Sequence, residues 1–213
     1  MQPTVHISAK MDDLSEISSR TVEKLYASHT LEHLSPILGK DVNVHGYSEL
    51  CQTLAEFNRV MVMNGEIYIS VPDVDMMIRE YARLSKTLPR SDKNGLLMQI
   101  YGGQTNVHDY HKIGFHFEEL EFQLNQFGFC GIQKVDNFGF FKDASTTVNI
   151  YPLNNNETVT IPLSINVNGT KCKDIELVRE AINGDNNNKN KGKKRRKVVV
   201  DKADESLFVC QYP

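Results

Sequence analysis

From Ser48 the apolar residues Leu50, Leu54, Phe57 and Met61 recur at helical spacing, and Asn64-Gly65 offers a left-handed stop, so the pattern predicts a helix there. The following "EIYISVP" alternates Ile67, Ile69 and Val71 against Glu66, Tyr68 and Ser70, which predicts a strand ending at Pro72. Val74, Met77, Ile78, Tyr81 and Leu84 form a second helical stripe, and a shorter helix around Leu96 to Ile100 follows Pro89. Phe117, Leu120, Leu124 and Phe127 make another, closed by Gly128. Strand character marks Val5 to Ala9, Glu23 to Ala27, "GIQKVDNF" and "LSINVNG". The order strand, helix, strand, helix, helix, strand, strand predicts an α/β domain with a largely parallel sheet.

The 213 residues suffice for one domain with a tail. The tail is expected after residue 171: beyond about Asp185 the run "NNNKNKGKKRRK" has no apolar rhythm and reads as low-complexity and disordered. Residues 1–171 are thus read as the α/β domain and 172–213 as a basic tail. Formal charge is −3 overall, and the seven Lys or Arg of residues 186–197 leave an acidic body. "KGKKRRK" can serve nuclear localisation or contact nucleic acid, or it can be a solvated tail. Cys51, Cys130, Cys172 and Cys210 are widely scattered, which points to reduced thiols in an intracellular, cytoplasmic or nuclear, setting. No apolar run approaches the roughly 18 residues a membrane span requires, and no membrane contact is expected.

Within "ASHTLEHLS", His29-x-x-Glu32-His33 has the spacing of a zinc-peptidase motif, with two His ligands and a catalytic carboxylate on one helical face. Against that reading, Pro36 leaves room for only a short helix capped by Ser28, the motif follows a strand, and no downstream acidic signature supplies a third ligand. The expectation from the residues is therefore no metal. In an α/β sheet the loop leaving a strand's carboxyl end is instead where ligands bind.

"LYASHTLEHL", "EFNRVMVMNGEIYISVPD" and "YGGQTNVHDYHKIGFHFEELEFQLNQFGF" together resemble, in order and spacing, the later two-thirds of a class I S-adenosylmethionine-dependent methyltransferase-like family of the type 11 kind. The shared signatures are ASHxLEH, SVPD, GGQT and DYHKxGF, and the resemblance spans about residues 5 to 171. It implies a Rossmann-like sheet of strand order 3-2-1-4-5-7-6 and transfer of a methyl group from S-adenosylmethionine to an acceptor that the motifs do not identify. By resemblance, Ala27, Ser28 and His29 end the fourth strand against the cofactor's methionine portion, with Glu32 and His33 shaping that wall. Met11, Asp12, Asp13 and Leu14 match the adenine-side segment. Pro72 and Asp73 border the acceptor, and Gly103, Gln104, Thr105, Asp109, Tyr110 and Lys112 belong to an insertion covering it. His111 is the candidate general base, its unperturbed pKa being near neutrality. On the residues alone, His111 beside Asp109 and Lys112 reads first as a structural hydrogen-bonder, and Glu32 and His33 as a cap or tether.

The chain departs from the family at the glycine-rich turn after the first strand and the ribose-binding acid after the second, neither of which has a counterpart. The expectation is a sheet incomplete at the N-terminus, without its first two strands. Strand 4 would then present an open edge suited to a protein partner. Two readings follow: a methyltransferase-like protein, its activity uncertain through truncation, or a noncatalytic interaction module with a basic nuclear-targeting or nucleic-acid-contacting tail.

Overall fold

The computed structural model describes residues 9–36, 48–140, 147–153, 158–175, 177–178 and 197–198. Its centre is a four-stranded sheet of β1 (Val22–Ser28), β2 (Met61–Pro72), β6 (Ser164–Lys171) and β3 (Phe129–Val135), in that spatial order. β1 and β2 are parallel, whereas β6 is antiparallel to both β2 and β3. The architecture is α/β, as expected, but the sheet is mixed: the last strand returns between β2 and β3 and reverses two of the three pairings. In this spatial order the four strands take the positions 4-5-7-6 of the expected seven. Residues 5–8 of the first strand candidate, the basic tract as far as residue 196, and Cys210 lie outside the described residues.

Why the sheet has one dry face follows from register. Leu25 and Ala27 stand opposite Ile67 and Ile69, which face Gly169 and Val167 on β6. These side chains join the buried Leu50, Leu54, Phe57 and Val60 of α1 (Glu49–Val60) and the buried Leu120 and Leu124 of α4 (Phe117–Gln126) in one core. On the opposite face Tyr26 and Tyr68 pack edge-on against Phe138 and Phe140, with ring centroids 4.9 to 6.0 Å apart. The second, smaller core sets Met77 and Leu84 of α2 (Val74–Leu84) and Leu96 of α3 (Arg90–Tyr101) against Ile150 and Ile161 of a hairpin, β4 (Thr147–Ile150) and β5 (Val159–Pro162). Ile78, expected on the inward stripe, is 55% exposed.

Ser48 caps α1 as read, its hydroxyl accepting from the Cys51 N–H. The helix does not stop at Asn64-Gly65. It passes straight into β2 at Met61, and Asn64 instead takes its left-handed φ of 63° in the irregular register where β2 starts to pair with β1. Nor does Ser28 cap a helix: it ends β1, and only a single 3₁₀ turn, Leu31–His33, follows. Cys130 and Cys172 are brought together, their Cα atoms 5.9 Å apart, because the β3–β6 pairing sets Cys130 opposite Thr170, two residues before Cys172. Leu177–Val178 and Lys197–Val198, two-residue strands β7 and β8, pair antiparallel.

The α1–β2 junction is fastened from β6. Lys171 is fully buried; its ammonium donates to the carbonyls of Asn58 and Met61 at 2.7 and 2.9 Å and pairs with Asp174 at 2.6 Å. Asn58 in turn donates to the carbonyls of Phe127 and Lys173 and accepts from the Ile175 N–H. Lys171→Met keeps the apolar stem but strands two buried carbonyls, so it should lower the unfolding free energy by about 1.5–3 kcal/mol. Urea denaturation of the two proteins measures this directly.

Candidate functional site

Three connections converge at the carboxyl end of β1. His29 leaves the strand with a left-handed φ of 49°, its N–H bonded to the Ser70 carbonyl of β2. The imidazole therefore turns across the sheet end, where Nε2 shares a hydrogen bond of 3.0 Å with the Ser164 hydroxyl at the start of β6. Farther along the turn, the Glu32 carbonyl accepts from the N–H groups of Lys112 and Ile113, and the Nδ1 of His33 donates to the Tyr110 carbonyl at 3.1 Å. The 3₁₀ turn and the segment between α3 and α4 are thus zipped together.

Inside this zip, Glu32 is 1% exposed. Its carboxylate oxygens have no hydrogen-bond partner among the described residues, although His29 Nδ1 stands 3.4 Å and His33 Nε2 3.9 Å from Oε1. The rings of His33 and His111 meet edge to face with centroids 4.8 Å apart. Burial pushes the His111 pKa down, more than Glu32 raises it, and the His111 backbone N–H donates to the Tyr101 carbonyl at the end of α3.

Gly102 makes the approach possible. At φ +83° it lies so close to the next turn that an added Cβ would stand 2.2 Å from the Asp109 carbonyl oxygen. Thr105 donates both its N–H and its hydroxyl to the Asp109 carboxylate, which holds that carboxyl below its usual range, and the Gln104 N–H donates to the Asp109 carbonyl. Gly103, Gln104 and Thr105 are exposed and bound into their own turn.

The structure therefore brings together Ser28, His29, Glu32, His33, Tyr110, His111 and Lys112. Pro72 ends the neighbouring β2, but both Asp73 oxygens are engaged, Oδ1 capping α2 through the Met76 N–H and Oδ2 holding Lys134. Asp73 thus has a structural duty beside the acceptor role the resemblance implies. In the segment Met11, Asp12, Asp13 and Leu14, the Leu14 N–H donates to Glu56 of α1, its carbonyl accepts from Arg59, and Met11 and Leu14 pack on the main core. Sequence reasoning missed Ser164, which no motif marks, and the aromatic group of Tyr26, Tyr68, Phe138 and Phe140, which only sheet register assembles.

No protein-family model matches the chain, and no curated protein matches it significantly. Among solved structures it is similar to an S-adenosylmethionine-dependent methyltransferase of Thermotoga maritima described as a possible histamine N-methyltransferase, with 14% identity and a TM-score of 0.42, 78% of this chain covering 63% of that one. It is also similar to the CurJ carbon methyltransferase, at 14% identity, a TM-score of 0.41 and coverages of 78% and 34%. A further likeness is to an S-adenosylmethionine-dependent methyltransferase of Archaeoglobus fulgidus, at 17% identity, a TM-score of 0.41 and coverages of 80% and 68%. The chain thus spans about a third to two-thirds of the length of these proteins. At such identities and TM-scores the likenesses carry no functional weight of their own. No helix among the described residues is long and apolar enough to cross a membrane.

Glu49 at the start of α1 ties the same region from below, accepting from the Ser35 N–H at 2.8 Å and from the Lys112 ammonium at 2.9 Å. Burial pushes its carboxyl up, but the Ser35 N–H and the Lys112 charge together hold it below the ordinary 4.5. A carboxyl lowered on folding contributes stability that is complete above its unfolded value and disappears as pH falls through its folded value. Glu49→Gln should therefore be less stable at neutral pH and should lose less stability on acidification below about pH 4.5. Urea unfolding over a pH series tests both signs.

Proposed function

We propose that the chain carries the acceptor-side half of a class I S-adenosylmethionine-dependent methyltransferase-like fold, acting in methyl transfer to an acceptor of unknown identity. The observation that carries this reading is the strand order β1-β2-β6-β3 with β6 alone reversed, which agrees with positions 4-5-7-6 of the expected sheet and sets Ser28-His29 beside Pro72-Asp73 at the carboxyl ends.

The residues present fit one end of the cofactor. Ala27 and Ser28 are small, His29 turns the backbone away from the strand, and the buried Thr30 hydroxyl oxygen has no hydrogen-bond partner among the described residues. A polar ligand group would satisfy that orphan. Support is weaker on the adenosine side, where Leu14 is bonded to Glu56 and Arg59 of α1 and the glycine-rich turn has no counterpart in the sequence.

S-adenosylmethionine, when bound, supplies an electrophilic methyl group on its sulfonium. The chain's part is to orient the acceptor and exclude water beneath the segment 102–113, with the His111 ring as the candidate acceptor of a proton from an oxygen or nitrogen nucleophile. Calorimetric titration with S-adenosylhomocysteine tests the reading. Saturable 1:1 binding is expected, weakened about tenfold or more, equivalent to about 1.4 kcal/mol, by Ser28→Leu or His29→Ala. Absence of binding by the folded chain would overturn it in favour of a noncatalytic interaction module.

A further inference from the structure

Glu32, His33 and His111 each offer one ligand atom, and the three atoms lie within 4.8 Å of one another. We infer that they form a binding site for a divalent transition-metal ion, with zinc as the first candidate. This goes beyond the methyl-transfer reading and does not rest on it. It also departs from the expectation of no metal, and by a different constellation from the one the motif spacing brings to mind.

The peptidase pattern fails in this fold because its helix never forms. His29 is left-handed, only Leu31–His33 makes a 3₁₀ turn, and His29 and His33 are not successive positions of one helical face. What forms instead uses Glu32 as a ligand and recruits His111 from far downstream, supplying the third donor that the sequence did not reveal.

Four observations support an ion there. The first is that a fully buried carboxylate with two unbonded oxygens is expensive unless a cation or donor compensates it. The second concerns tautomers: the Tyr110 carbonyl can only accept, so it requires the proton on Nδ1 of His33, which in the neutral ring leaves the Nε2 lone pair toward Glu32. In that tautomer an imidazole lone pair faces a carboxylate, an arrangement that repels unless something positive sits between them.

Third, a histidine whose second nitrogen donates to a backbone carbonyl has the usual outer-shell support of a metal ligand, with ring orientation fixed in advance. Fourth, the donor set is two imidazoles and one carboxylate, which suits zinc or ferrous iron better than a hard, all-oxygen cation. Glu32 is buried while both histidines are half-exposed, so the site is open on one side for an exchangeable ligand. Donors sharing one zinc at about 2.1 Å stand about 3.4 Å apart. The required closing-in is therefore at most about 1.5 Å, within the reach of side-chain rotation.

The ion would join the turn after β1 to the segment between α3 and α4. A coordinated His111 cannot also accept the acceptor's proton, so the two assignments of that residue exclude each other. His29 is the competing compensation for Glu32, since its Nδ1 stands 3.4 Å from Oε1, although not in hydrogen-bonding alignment.

The test is titration of the chelator-treated full chain with Co²⁺, read by visible ligand-field absorption, with displacement by Zn²⁺ and the thermal midpoint followed in parallel. The inference predicts saturable 1:1 absorption, displacement by Zn²⁺, a raised midpoint, and binding weakened about tenfold or more by Glu32→Gln and by His111→Asn while His29→Ala retains it. Circular dichroism establishes that each variant is folded; should His111→Asn not fold, the near-isosteric Glu32→Gln decides alone. No saturable binding by the folded chain, undiminished binding by Glu32→Gln, or loss of binding in folded His29→Ala would overturn it. None of these readouts involves S-adenosylhomocysteine, so failure here and failure of the methyltransferase reading are separable.

Discussion

The carboxyl end of the sheet is organised around one electrostatic constraint, a carboxylate removed from water. Glu32 is fixed at both of its ends: its carbonyl accepts from Lys112 and Ile113, which pins the segment before α4 to the turn after β1, and its side chain points into the enclosure this creates. Peptide hydrogen bonds supply the closure and the carboxylate inherits the desolvation. His29, His33 and His111 surround it because their backbones belong to the elements being joined. Positive compensation, from a ligand ion or from imidazole, is what makes that enclosure tolerable, so its chemistry and its folding are the same problem.

The sheet that presents this enclosure depends on β6. By inserting antiparallel between β2 and β3 it gives Ile67, Ile69 and Val71 their inner neighbours, sets Ser164 beside His29 at one end, and delivers Lys171 to the α1–β2 junction at the other. A strand eight residues long thereby controls both the site and the buried polar fastening beneath the helices. The smaller core of α2, α3 and the β4–β5 hairpin bears on the site through α3, whose last residue, Tyr101, accepts from the His111 N–H.

Much of this was legible in the residues. Alternation in "EIYISVP" and the stripes of α1, α2 and α4 located elements to within a few positions, since period and burial coincide there. The resemblance directed attention to Ser28, His29, Glu32, His33 and His111, of which Glu32, His33 and His111 meet, with His29 beside Glu32. Strand direction was not legible, because a pleated run reads the same in a parallel or an antiparallel ladder. Asn64-Gly65 misled for a related reason: a residue at ease with positive φ serves a strand irregularity as well as a helix stop. The inward turn of His29, the engagement of both Asp73 oxygens and the approach of His111 to Glu32 are long-range outcomes that no local spacing encodes.

Methyl transfer and metal binding place different demands on the same few side chains, and the position of electron density among them separates the demands most directly. The decisive measurement is a crystal structure of the full chain grown with zinc, with anomalous data collected on both sides of the zinc absorption edge. A single anomalous peak bonded to Glu32, His33 and His111 is the result the account predicts. A carboxylate of Glu32 hydrogen-bonded to His29, with no peak between the two downstream histidines, would contradict it.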